Sequence, residues 1–103
     1  MASDLYNFGY SIINRDTRYA PQGDLGKLAK CIINKSTIGL PGGDLGKVGK
    51  CIINNNYLGG RPEGDWGKFC NAILKNNAAD SPSGDLGKVC KCIIEKNTVY
   101  LPK

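Results

Sequence analysis

The sequence contains no histidine. That removes the commonest general base, the commonest protein metal ligand and the usual partner of a serine or cysteine nucleophile. No Cys-x-x-Cys spacing occurs, and Cys90-Lys91-Cys92 does not have the spacing of a zinc knuckle. No stretch approaches eighteen consecutive apolar residues, so the sequence offers no membrane-spanning helix. The opening Met1-Ala2-Ser3-Asp4-Leu5-Tyr6 has neither the basic region nor the apolar run of a signal peptide. Five cysteines, an odd number, would leave one thiol over from a complete disulfide set. These features together predict a reducing, cytoplasmic setting. For catalysis the chain offers only Asp, Glu, Lys, Cys and hydroxyls, and no carboxylate pair stands out. We therefore expect no enzyme, no cofactor and no metal.

What is present is a repeat. The chain has 103 residues and a net charge of +5, enough for one soluble domain. Gly23-Asp24-Leu25-Gly26-Lys27 returns as Gly43-Asp44-Leu45-Gly46-Lys47, Gly64-Asp65-Trp66-Gly67-Lys68 and Gly84-Asp85-Leu86-Gly87-Lys88. A diverged copy begins at Asp4-Leu5. The aspartates fall at 4, 24, 44, 65 and 85, and a proline closes each copy at 21, 41, 62, 82 and 102. The chain thus reads as one repeat domain, 1–103, with units at about 4–23, 24–43, 44–64, 65–84 and 85–103.

Within each unit apolar residues recur at i, i+3, i+4, i+7 and i+8, as in Leu25, Leu28, Ala29, Ile32 and Ile33. This is one face of an α-helix rather than the alternation of a strand. The aspartate before each run is a good N-cap. The clusters Asn34-Lys35-Ser36, Asn54-Asn55-Asn56, Asn76-Asn77 and Lys96-Asn97 fit helix stops, since Asn tolerates the left-handed conformation. Helices of about eleven residues are too short to be stable alone and must lean on their neighbours. Thr37–Pro41 and Thr98–Pro102 alternate apolar with other residues, as half-buried extended arms would. The expected fold is mainly α, a small solenoid-like stack of five short parallel helices joined by extended arms. The alternative is an α/β solenoid with the arms as parallel strands.

Three groups of residues are candidates for function. Lys27, Lys47, Lys68 and Lys88 share one helical position, and Lys30, Lys50 and Lys91 another one turn on. Stacking would line them into a basic ridge able to hold nucleic acid or an anionic glycan. The neighbouring aspartates oppose this, and a solvated face is the plain reading. The end of copy three and the start of copy four depart from the other copies in Arg61, the nearby Tyr57 and Trp66, which suits a specific partner contact or simply a differently filled core. Cys70 and Cys90 lie on the apolar stripe, and Cys31, Cys51 and Cys92 on its flank, where packing is the plain reading and a disulfide the sharper one. The function expected is that of a protein-interaction or scaffold module, able to self-assemble through apolar stripes left open at the two ends. Polyanion binding is the alternative.

Overall fold

A computed structural model describes residues 4–102. Five α-helices follow in order: α1 (Asp4–Asn14), α2 (Gly23–Asn34), α3 (Gly43–Asn54), α4 (Gly64–Lys75) and α5 (Gly84–Glu95). Short 3-10 turns at Thr17–Tyr19 and Ala78–Asp80 occupy two of the connections, and no strand occurs among the described residues. The fold is all-helical, as the periodicity predicts, and the α/β alternative does not hold.

The helices lie side by side in chain order, and α5 packs against α1. Helix backbones meet only between neighbours in this circle. The stack is therefore a closed ring, and the two stripes that an open stack would leave bare cover each other. Helices of 11–12 residues rise roughly 16–18 Å, which matches the short dimension of a molecule 35 × 29 × 19 Å in extent. The molecule is a disc one helix thick.

One side chain per copy fills the centre. Phe8, Leu28, Val48, Phe69 and Val89 are all completely buried. Each such burial is worth about 1.5–3 kcal/mol. The rings of Phe8 and Phe69, on helices that are not neighbours, stand 6.3 Å apart between centroids. Above this layer Leu5, Leu25, Leu45, Trp66 and Leu86 close the end formed by the helix N-termini, each half-buried. Below it Ile12, Ile32, Ile52, Ile73 and Ile93 converge around a cavity of about 20 Å³ on the axis. One register position from all five helices meets there, so the helices run parallel.

The two glycines of the repeated pentad have different tasks. The first, at 23, 43, 64 and 84, has φ between +65° and +78°, a region that L side chains rarely adopt. At the second, a Cβ on Gly26, Gly46, Gly67 or Gly87 would collide with the carbonyl oxygen of the proline that ends the preceding arm. Those prolines, Pro21, Pro41, Pro62 and Pro82, are buried against the next helix. The aspartates are not N-caps. The caps are Gln22, Gly42, Glu63 and Ser83, none with a side-chain capping bond, and the aspartate sits in the first turn. There its charge faces the positive end of the helix dipole.

All five helices stop in the same way. Arg15, Lys35, Asn55, Asn76 and Lys96 take the left-handed conformation. The next backbone N–H, from Asp16, Ser36, Asn56, Asn77 or Asn97, donates back to the carbonyl of Ser11, Cys31, Cys51, Ala72 or Cys92 at 3.0–3.2 Å. The side chains of the same five residues then accept the N–H two residues on, at 2.9–3.2 Å. This local turn bends each arm at its start. The arms are consequently not the half-buried extended segments that their alternation suggests. Ile38, Leu58 and Val99 stand at the bends, 89%, 92% and 78% exposed.

The end of each arm wedges against the next helix, and residue sizes compensate. Leu40 meets Gly49, and Leu101 meets Gly9. Where the arm residue is small, as at Ser81, the helix carries the larger Cys90. Leu101 and Gly9 belong to the last arm and the first helix, so the same wedge seals the ring.

Candidate functional site

The disc has two flat ends and a wall, and each holds some of the candidate residues. At the end formed by the helix C-termini, Ile12, Ile13, Ile32, Ile33, Ile52, Ile53, Ile73, Leu74, Ile93 and Ile94 are all only half-buried. They sit there because the helical stripe continues to the last turn while, among the described residues, no element crosses the end to cover it. A basin of about 310 Å³ opens on this face over α1, α2 and α3. Ile12, Ile32, Ile33, Ile52 and Ile53 line it, with Arg15 and Lys35 at its edge.

The rim of this face is basic. Arg15, Lys35, Lys75 and Lys96 are exposed around it, against Glu95 and the half-buried Asp16, whose carboxylate is paired with Arg18. Three of these cations occupy left-handed positions, where a non-glycine residue costs about 1–2 kcal/mol. Positive charge at the negative ends of five parallel dipoles offsets part of that cost. The opposite end carries the acids: Asp4, Asp24, Asp44, Asp65, Asp85 and Glu63 are exposed there, around the half-buried leucines and Trp66, while Lys27, Lys47, Lys68 and Lys88 follow three residues on, down the wall.

Lys27, Lys47, Lys68 and Lys88, with Lys30, Lys50 and Lys91, are all exposed on the wall. Closure turns the expected ridge into a belt that changes direction by a fifth of a circle per copy. The belt is interrupted at copy one, where Asn7 and Tyr10 take the lysine positions, and at copy four, where Asn71 does. Tyr10 instead contacts Tyr6 and Tyr19. Lys88 lies 3.9 Å from Asp85. Lys27 and Lys30 border one hollow of the wall with Arg18, and Lys88 and Lys91 another with Tyr100.

The distinctive residues at the junction of copies three and four find internal partners. The Arg61 guanidinium lies over the Tyr57 ring, 5.4 Å from its centroid. The Tyr57 hydroxyl donates to Asn71 Oδ1 at 3.1 Å. Trp66 packs edge-on against Phe69 at 5.4 Å. These contacts tie the third arm to α4, and they account for Asn71 replacing the lysine found in other copies.

All five cysteines are free and buried. The Cys31 and Cys51 thiols donate to the arm carbonyls of Ile38 and Gly60, each at 3.4 Å. Burial raises the pKa of every one of these thiols, and Cys70, which also faces Cys51, is pushed up to about 12. A thiol held in this way carries little thiolate near neutral pH. Among the described residues no three Cys, Asp or Glu side chains converge in a way that could hold a metal ion, and no helix is long and apolar enough to cross a membrane.

Sequence reasoning named the lysines, Trp66, Arg61 and Tyr57, but passed over the isoleucine face. Its signal was present, since the paired aliphatics at 12–13, 32–33, 52–53, 73–74 and 93–94 sit in the last helical turn. Comparison with protein-family models, curated proteins and solved structures gives no match.

Proposed function

We propose that the chain is a non-enzymatic interaction or scaffold module whose contact surface is the isoleucine face of the disc. The observation that carries this is the set of ten half-buried aliphatic side chains gathered on one flat end, inside a basic rim. Surfaces of this kind, apolar in the middle and charged at the edge, are what binding partners cover. The rim selects against a basic partner and for an acidic one.

An anionic naphthalene sulfonate dye, itself apolar and negatively charged, serves as the probe. The folded protein should bind it saturably. A double variant, Ile33→Gln with Ile53→Gln, removes apolar surface without changing charge and should weaken binding at least tenfold while leaving the helical circular dichroism unchanged. Equal binding by that variant would sink the proposal.

Polyanion binding along the lysine belt is the second reading, favoured by the exposure of all seven lysines. A straight polyanion could touch only the copies facing it, and the first-turn aspartates would weaken its hold. Titration with a sulfated polysaccharide at low and high salt tests this. An affinity that does not fall as salt rises removes the belt from consideration.

A further inference from the structure

We infer that the partner for the isoleucine face is a second copy of the chain, docked through its opposite end, so that discs stack head to tail along the ring axis. The inference rests on the reading of that face as a contact surface and adds the occupant. It draws on three features. The two ends carry opposite charge: Arg15, Lys35, Lys75 and Lys96 rim one, and five aspartates with Glu63 rim the other. Both ends leave apolar side chains half-buried at their centres, the isoleucines on one and Leu25, Leu45, Leu86 and Trp66 among those on the other. A face 35 × 29 Å across presents on the order of 800 Å², about what each partner buries in a standard interface.

The geometry chooses among copies. Two isoleucine faces brought together would set like charges rim to rim, and so would two acidic faces. Head-to-tail contact sets each basic rim on an acidic one and aligns the helix dipoles end to end. Such a contact joins two different surfaces and does not close on itself, so it continues into a stack instead of stopping at a dimer. Lateral growth through open repeat ends is not available, since α1 and α5 already cover each other.

Sedimentation velocity across a concentration series tests the inference, at about 10 mM and about 1 M salt, where screening lengths are roughly 30 and 3 Å. At low salt the mean mass should climb with concentration past that of a dimer. At high salt the apparent association constant should fall at least tenfold. Two charge-reversed variants give the sharper readout. One carries Arg15→Glu, Lys35→Glu and Lys96→Glu; the other carries Asp24→Lys, Asp44→Lys, Asp65→Lys and Asp85→Lys, which leaves only Asp4 and Glu63 as acids at that end. Each alone should remain monomeric, because both of its ends then bear one sign. An equimolar mixture should stack again, since every junction in an alternating series pairs opposite signs. Should lysine in the first helical turn unfold the second variant, Asp→Asn at the same four positions is expected to weaken stacking instead.

Three results would overturn stacking: a monomer at every concentration in low salt, growth that ends at a dimer, or a mixture that stays monomeric although both variants are folded. Dye binding at the isoleucine face without any stacking would leave the contact-surface reading standing and remove only the second copy. Loss of both would remove both.

Discussion

The wedge of Leu101 against Gly9 offers a direct measurement of ring closure. Leu101 is 5% exposed, and its Cδ2 would lie 2.6 Å from a Cβ added at Gly9, with Val89 Cγ1 at 3.3 Å. Leu101→Ala removes three buried carbon atoms and leaves a void, at a cost of about 2–3 kcal/mol, the lower part of the range for such truncations. Gly9→Ala gains about 1 kcal/mol of helix propensity but crowds Leu101 by about 1–3 kcal/mol, for a net loss near 1 kcal/mol. In the double variant the new methyl enters space that the leucine has vacated. The crowding disappears, the propensity gain remains, and the total loss should be about 1–2 kcal/mol, against about 3–4 for the singles added together. Urea denaturation followed by helical circular dichroism resolves such a coupling, provided the denaturant slope stays constant across the cycle. Additivity to within about 0.5 kcal/mol would mean that the two residues do not touch. The α1–α5 seam would then be refuted, and the closed ring with it.

Gly87→Ala should destabilise by about 2 kcal/mol or more in the same assay, because its Cβ meets the rigid Pro82 carbonyl rather than a side-chain tip. Gly42→Ala, with open space around it and φ of −83°, should stay within about 0.5 kcal/mol of the parent or gain slightly. Lys35→Gly should raise the melting temperature, since glycine relieves a left-handed lysine at φ 56° worth about 1 kcal/mol; an unchanged or lower value would contradict that helix end. Stability should be flat from neutral pH up to about 9 and fall above it. The buried thiols keep their protons in the folded chain while thiols of the unfolded chain ionise near 9.0, so the folded state binds more protons as pH rises. Cys70→Ala should make that decline shallower, and an unaltered alkaline profile would show that Cys70 ionises as freely folded as unfolded.

Much of this architecture is legible along the chain. The spacing of aspartates and prolines marks the units, and the apolar register from Leu25 to Ile33 marks the helix and its buried side. The left-handed stops fall inside the Asn-rich clusters, even where lysine holds the position. The arms misled for a definite reason. Alternation at Thr37–Leu40 suggests a strand, but the Ser36 hydroxyl captures the Ile38 N–H, and this local bond turns the chain before pairing could begin. The aspartates misled because a carboxylate one residue inside a helix and one at its cap look alike in sequence.

The sequence by itself determined the period, the helices and the face that each must bury, because those follow from interactions among residues close in the chain. Only the tertiary structure decided that five units close rather than run on. Closure depends on the angle between neighbouring helices, and that angle is set by how far each arm can sink against the next helix. Gly9 and Leu101 carry the complementary sizes in plain view, but their match has meaning only once α1 and the last arm are side by side. The two oppositely charged ends emerge at the same step, since parallel helices in a ring bring all their first turns to one side and all their last turns to the other.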